Sequence, residues 1–488
     1  MAGFLKIVDQ HGRRIPMRAA SYQGHFEGAT FGRRFGNWGL SSAGPDASMF
    51  NSLGTLRARS RELVRNEPLI TGGLDTLVAY IVGSGINPRW ELEDAEIKRS
   101  LQQLWADWTM EADHDGVADF YGLQSLATRC MVESGEVLIR FIPQKPGTMP
   151  VPLKIQVLEP DHLDEAYNTQ APNGNEIRMG IEFSPEGRRV AYHMYREHPG
   201  ESYLSSTPGE KIRVPASEVL HIYRPLRPGQ KRGRPWLSSV IAIIRELNQY
   251  LDAEQVRKKA AAMFGGFITA PAGEVDNIPS VFGQDSTDTT DDMGAQIMAL
   301  EPGTFPALPP GMDVKFSEPA DVGNSYAPFV KHQERRIARG FGGLTYEKLS
   351  GDLSDSNYTS LRSGDKTFQR QCLQIINHVV VYQMCAPVLR YWLNTAVLSR
   401  AINLPGFREN RQKYYRVKWC HEGFPMTDPL KDGQAEDNAI KAGRKSRSES
   451  VAERGRDVEA VDSEIASDQD RADGLGLKFD TDVRNASK

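Results

Sequence analysis

The stretch Arg339-Gly-Phe-Gly-Gly-Leu-Thr-Tyr-Glu-Lys-Leu-Ser-Gly-Asp-Leu-Ser-Asp-Ser-Asn-Tyr-Thr-Ser-Leu-Arg362 decides how this chain is read. An apolar-periodic run (Phe329, Gln333, Ile337, Phe341) leads into it, and a much longer one, from about Ser360 to Leu398, leaves it. Between them Gly340, Gly342, Gly343 and Gly351 mix with Ser350, Asp352, Ser354, Asp355, Ser356 and Asn357. Glycine and short polar side chains offer the backbone alternatives to helix, so the spacing predicts a polar loop between two helices. It holds no Lys-Ser/Thr phosphate cradle, no paired His and no Cys. So long a connection between strongly patterned helices is uncommon and points to function or disorder.

Downstream, the helix over 360–398 contains His378, Pro387 and Arg390, which suits a packed helix kinked at Pro387 better than a membrane span. Beyond about Lys431 the composition is charged, with sparse apolar residues such as Ile440, Val451, Val458 and Ile465, predicting small surface helices and a frayed end. Upstream, residues 267–325 read as a small separate unit with short strands around 296–300 and 314–316 and an acidic insert, Gln284 to Asp292. Before it, an uninterrupted helix is predicted from Pro235 to Phe264, about 45 Å long at 1.5 Å per residue. Its first half is apolar (Leu237, Val240, Ile241, Ile244, Leu247, Leu251) and its second charged (Glu254, Arg257, Lys258, Lys259), as in a helix that projects from one body toward another. A hairpin of projecting helices gains little alone and makes most sense beside copies of itself.

Further upstream lies a basic, Pro-rich hinge with Arg224, Arg227, Lys231, Arg232 and Arg234. β-type runs at Leu153–Leu158, Ile177–Phe183, Val190–Tyr195 and Val219–Tyr223 predict a mainly antiparallel layer. Helical spacing marks Ile70 to Ile81, Ile97 to Trp108, and about Asp119 to Ser134, the last leading into a strand at Val137–Ile142. The fold class is therefore α+β. Residues 1–50 show no periodicity and read as an extended arm, with structure beginning near Asn51.

The 488 residues allow two to four domains. A net charge of −4, from 59 basic against 63 acidic residues, argues against a chain held to nucleic acid by bulk charge, though not against one that lets it slide past. Four scattered cysteines, Cys130, Cys372, Cys385 and Cys420, predict no zinc site or disulfide framework. Residues 1–20 lack the apolar run of a signal peptide, and the expectation is a soluble protein.

No phosphate-binding loop, nucleophile elbow, zinc-protease helix or EF-hand occurs. Glu111, Asp113, His114 and Asp115 could bind a divalent metal or simply meet water after a helix. Glu133 and Glu136, flanking Ser134-Gly135, are spaced like an acid/base pair but also fit a helix-to-strand turn. The basic hinge could contact phosphate, face solvent or pair with a neighbouring copy. Asp285, Asp288, Asp291 and Asp292 could dock a basic partner or only solubilise a loop.

Four stretches in this order carry a resemblance: Leu63-Val-Arg-Asn66 through Ile81-Val-Gly-Ser-Gly-Ile-Asn-Pro88; Pro228-Gly-Gln-Lys-Arg-Gly-Arg-Pro-Trp236; Leu300-Glu-Pro-Gly-Thr304 through Pro310-Gly-Met312; and Gly343-Leu-Thr-Tyr-Glu-Lys-Leu349 with Ser356-Asn-Tyr-Thr-Ser360. Over about residues 25 to 475 the chain resembles the lambda-type portal proteins of tailed bacteriophages. The resemblance implies a homo-oligomeric ring, a dodecamer, at one capsid vertex with double-stranded DNA in transit along its axis.

It also implies an organisation: an N-terminal arm over 1–54, a wing over 55–235, a stem helix over 236–264 carrying Glu254, Arg257, Lys258 and Lys259, and a clip over 265–325. A second stem helix over 326–342, a tunnel loop over 343–359, a long wing helix over 360–398 and a crown and tail over 399–488 complete it. Tunnel-loop residues Lys348, Ser350, Asp352, Ser354, Asp355, Ser356 and Asn357 would face DNA, and the clip aspartates would meet the terminase large subunit and later head-completion and tail-connector proteins. Major capsid and scaffold proteins are further implied partners, in a virion assembled in the host cytoplasm, with no membrane partner, no cofactor, no metal and no catalytic residue. A metal-dependent nucleic-acid-processing enzyme using the 111–115 or 133–136 carboxylates is the alternative from another class, and a portal-like connector of a gene-transfer particle is a third.

Overall fold

The computed structural model describes residues 39, 41–201, 209–263, 267–269, 313–315, 326–354, 357–425, 428–477 and 479. The chain divides after Gly44, and the architecture below is that of Pro45–Lys488. Helix begins earlier than the expected Asn51. α1 spans Pro45–Phe50, with Met49 buried, and α2 spans Leu53–Asn66. α3 (Pro68–Ile81) starts on a proline whose missing N–H would have found no helical partner. β1 (Asn87–Trp90), α4 (Ala95–Thr109) and α5 (Phe120–Ser134) follow. Asp94 and Asp119 cap the two helices, Asp119 accepting from the Gly122 N–H at 2.7 Å.

β2 (Glu136–Pro143) is the centre of a three-stranded antiparallel sheet, flanked by β3 (Leu153–Leu158) and, later in the chain, by β9. A second sheet is a five-stranded antiparallel meander: β4 (Thr169–Gln170), β5 (Glu176–Arg178), β6 (Ile181–Phe183), β7 (Arg189–Tyr195) and β8 (Lys211–Pro215). The predicted single run Ile177–Phe183 is thus two strands. Arg178 pairs with Ile181 across a two-residue turn in which Met179 and Gly180 both have positive φ (47° and 80°). That geometry usually calls for Asn-Gly, and a methionine there hid the turn from sequence reading. β9 (Val219–Tyr223) then returns to pair with β2.

α6 spans Ile241–Met263, which is 23 residues rather than the predicted unbroken run from Pro235. A separate 3-10 turn occupies Trp236–Ser239. Its Ser238 hydroxyl donates to the Pro235 carbonyl and competes for the acceptor that a helix would use. β10 (Phe267–Thr269) and β11 (Asp313–Lys315) pair antiparallel. The acidic insert and the strand expected at 296–300 lie outside the described residues.

α7 (Tyr326–Gly340) and the short α8 (Tyr346–Ser350) precede α9 (Tyr358–Ile375), which continues through a π-helical segment, Ile376–Cys385, into α10 (Ala386–Leu398). Pro387 has no N–H and its ring would strike the Gln383 carbonyl in α-helical register. The chain meets that conflict with a widened helix, and the Ala386 N–H reaches back five residues to the Val381 carbonyl. More than half of the most apolar window of this helix (56%) is buried, as in a core helix.

α11 (Arg411–Tyr415), β12 (Val417–Cys420), α12 (Pro429–Lys441), α13 (Arg447–Glu453) and α14 (Val458–Gly474) follow, the last three being the helices expected from about Lys431. β12 pairs antiparallel with β1, from Asn87↔Cys420 to Trp90↔Val417. At the centre Trp90, Trp105, Trp108, Phe120 and Trp392 stack edge and face with centroids 5.0–6.3 Å apart. Two of the indoles are anchored by N–H donation, Trp108 to the Leu153 carbonyl (2.8 Å) and Trp90 to the Tyr414 carbonyl (3.2 Å).

Candidate functional site

The stretch between α7 and α9 is only half a polar loop. Phe341, Leu344 and Leu349 are buried, and they land on α3 where Gly73 leaves room: a Cβ there would lie 2.7 Å from a Leu349 methyl carbon. Gly342 and Gly343 take positive φ (66° and 77°), which lets the chain turn from α7 into α8. Beyond α8 the described residues are more exposed: Gly351, Leu353, Ser354 and Asn357 all face solvent. Asp352 accepts from the Tyr346 hydroxyl and the Ser354 N–H, both at 2.9 Å. Its carboxyl is held well below the usual carboxylate range by Ser354 hydroxyl and amide donation and by Tyr346. Ser350 donates to the Tyr346 carbonyl, Ser354 is exposed, and Asn357 caps α9 by accepting from the Ser360 N–H (2.8 Å). Asp355 and Ser356 lie outside the described residues.

Lys348, expected to face the channel, points into the protein instead. Its amine donates to the Tyr80 hydroxyl (2.7 Å) and to Asp365 (2.8 Å) and lies 4.4 Å from the centre of the Tyr80 ring. Burial opposes its charge, but Asp365 and the Tyr80 hydroxyl more than offset that and raise its pKa. Sequence reading missed this because Tyr80 lies far upstream in α3.

The stem residues divide likewise. Glu254 is buried and takes two bonds from Arg257 (2.8 and 2.7 Å), with Lys258 at 3.9 Å. The Lys258 amine lies 4.6 Å from the Tyr326 ring centre, and Tyr250 stacks near Tyr326 and Phe329, so α6 and α7 run side by side. Lys259 is exposed. The clip aspartates Asp285, Asp288, Asp291 and Asp292 lie outside the described residues.

The basic hinge is not a solvated arm throughout. Arg232 is fully buried and meets Glu136 at 2.7 Å. Glu136 also accepts from Arg57 (3.1 Å), His221 Nε2 (2.8 Å) and the Gly233 N–H (2.6 Å). Burial penalises this carboxylate, and Arg232, His221 and Arg57 overcome the penalty to hold it far below its ordinary value. Arg232 also donates to the carbonyl of Met179, which helps hold the unusual turn between β5 and β6. One buried cluster therefore ties α2, both sheets and the hinge together. Among the other hinge residues, Arg224 lies over Trp236, Lys231 lies over Phe183, and Arg234 is exposed.

Nor do the carboxylates weighed for catalysis assemble. Asp113 accepts from the backbone of Asp115, Val117 and Ala118 at 2.8–3.1 Å and organises the loop before α5. Burial pushes its pKa up, and those amides with Lys154 bring it below the usual value. Glu136 has no free oxygen to share with Glu133, whose carboxyl burial pushes up. Among the described residues Glu159, Asp161 and His198 could together hold a metal, but Arg61 bridges the two carboxylates at 2.6 and 2.5 Å. The four cysteines are free, and burial pushes the Cys372 thiol up to about 12.

In all of these places the charged groups fasten segments of the chain to one another. The chain belongs to the lambda family of phage portal proteins, whose model matches residues 31–375. It is 29% identical over 449 residues to the "Probable portal protein" of Halomonas phage phiHAP-1, covering 90% of this chain and 85% of that one. It is 22% identical to "Portal protein B" of Escherichia phage lambda, covering 93% and 90%. Among solved structures it is similar to one described as "Neck of native GTA particle computed with C12 symmetry", with a TM-score of 0.44 and 14% identity over 73% of this chain and 88% of that one. Its function is that of a phage portal protein, and this reading is favoured over the metal-dependent enzyme.

Proposed function

We propose that twelve copies form the ring, that DNA enters and leaves the capsid along its axis, and that the segment from Gly351 to Asn357 lines the narrowest part. The observation that carries this reading is the contrast within one connection: Leu344 and Leu349 fix its base, while Leu353, Ser354 and Asn357 are exposed beyond it. A lining of Ser, Asn and Asp offers DNA weak, exchangeable contacts and some repulsion, whereas a basic lining would trap it through released counterions. The engagement of Lys348 with Tyr80 and Asp365 supports such a lining, because it withdraws a positive charge from the segment.

On this reading 55–235 with the helix over 360–398 forms the wing, 236–264 and 326–342 the stem, 265–325 the clip and 399–488 the crown and tail. The clip, with Asp285, Asp288, Asp291 and Asp292, receives the terminase large subunit during packaging and head-completion proteins afterwards. ATP hydrolysis belongs to that motor, and the chain catalyses nothing. Assembly takes place in the host cytoplasm with capsid and scaffold proteins.

The test is packaging by particles carrying Asp352→Lys with Asp355→Lys. Rings should form normally, as seen by electron microscopy down their axis, and packaged DNA should fall. Normal packaging would remove the segment from the mechanism, and metal-dependent DNA cleavage by the wild type, abolished in Asp113→Ala, would favour the enzyme instead.

A further inference from the structure

The edge strand β9 and the π-helical segment that covers it enclose a cleft of about 530 Å³. Arg189, His221 and Tyr223 line its sheet side, and Tyr382, Pro387 and Arg390 its helix side. The Gln383 side chain hydrogen-bonds both the N–H and the carbonyl of Tyr223 (3.0 and 3.1 Å), fixing the two walls to each other. Tyr382, one position before it, is 74% exposed. π-helical turns recur at functional sites because they re-aim side chains out of the regular helical register.

Neither arginine of the cleft makes an ion pair among the described residues. The half-buried Arg189 donates to the neutral Tyr223 hydroxyl at 2.7 Å and lies over that ring, with no carboxylate in ion-pair contact among the described residues. Arg390, on the opposite wall, is exposed and likewise has none among the described residues. His221 is buried with its Nε2 on Glu136, and its Nδ1 has no hydrogen-bond partner among the described residues. A guanidinium taken partly out of water, as that of Arg189 is, is ordinarily paired, and the planar fork of either arginine matches a carboxylate in two-point contact.

We propose that this cleft receives a carboxylate side chain from a second copy, held between Arg189 and Arg390 with Tyr382 packed against the segment that carries it. Ring assembly keeps a neighbouring copy permanently at hand, and the chain has four more acidic than basic residues to supply the anion (63 against 59). The inference rests on the ring.

Arg390→Lys places an amine at the cleft, and Tyr382→Lys places a second at a position whose exposure makes the change harmless to folding. A water-soluble carbodiimide activates a carboxylate in contact with such an amine. The amine nitrogen then bonds to the carboxyl carbon while one carboxylate oxygen leaves on the resulting urea. Rings assembled from mixed nitrogen-14 and nitrogen-15 chains, checked by electron microscopy, are cross-linked, digested and analysed by mass spectrometry. The expected product joins position 390 or 382 to an Asp or Glu peptide of mixed isotopic origin, and its yield drops several-fold when Arg189→Gln is added to Arg390→Lys. Intact rings with no such product, or with one formed only within single copies, overturn the inference and leave the ring standing. Failure of the unsubstituted chain to form rings overturns both.

Discussion

Arg232 and Glu136 meet at 2.7 Å with both side chains wholly excluded from solvent. A charge in that position tolerates loss of its partner poorly, because the carboxylate left behind has no water to turn to. Arg232→Met should destabilise the chain by about 3–5 kcal/mol. Chemical denaturation of the unassembled chain measures this; a loss under about 1 kcal/mol would mean that Arg57 and His221 suffice alone.

The same cluster sets an acid limit. Burial, opposed by Glu136, lowers the His221 pKa from 6.5 to about 4. Between those values the unfolded imidazole takes up a proton and the folded one does not, so stability is complete above about 6.5 and declines as pH falls toward 4. Glu136, depressed from 4.5, contributes stability present above 4.5 and lost as pH falls further. Denaturation midpoints should therefore drop from pH 7 to 4, and His221→Gln, which cannot titrate, should flatten the upper part of that slope. A wild-type profile level across this range would refute the assignment.

Gly135 and Gly147 have nearly equal backbone φ, 92° and 91°, in unlike surroundings. A Cβ on Gly135 would lie 2.3 Å from the Arg234 carbonyl carbon, whereas one on Gly147 meets nothing within 4 Å. Gly147→Ala should cost about 1 kcal/mol of backbone strain. Gly135→Ala must also displace the hinge, and should cost at least about 3 kcal/mol or leave the chain insoluble. Equal melting temperatures for the two variants would contradict this difference.

Lys348→Met keeps the stem of the side chain but removes its bonds to Tyr80 and Asp365. A loss of about 1–3 kcal/mol is expected locally. Hydrogen exchange should accelerate in α8 and the segment after it, while the core around Trp392 stays protected. Unchanged exchange in α8 would show that Leu344 and Leu349 alone hold it.

Periodicity was enough to place α3, α4 and α5, because their apolar faces are local and their caps, Asp94 and Asp119, sit next to them. The α+β class and the antiparallel strands followed from the same kind of signal. What stayed hidden was long-range. Arg232 sits in a run of Arg, Lys, Gly and Pro that reads as solvated, and only the fold brings it to Glu136, 96 positions away. Lys348 looked like the positive exception in a polar loop because its partners lie in α3 and α9. The break before α6 and the turn at Met179-Gly180 escaped for another reason: residues there adopt conformations their types do not advertise.

The ribbon of β1 and β12 carries a consequence for synthesis. A ribosome delivers Trp90 long before it delivers Val417, the residue that strand must pair with. Until then β1 has no partner strand, and the aromatic centre lacks Trp392 as well as the Tyr414 carbonyl that anchors Trp90. The nascent chain therefore carries an unfinished core through most of its own translation, and closes it only once residue 420 has cleared the exit tunnel.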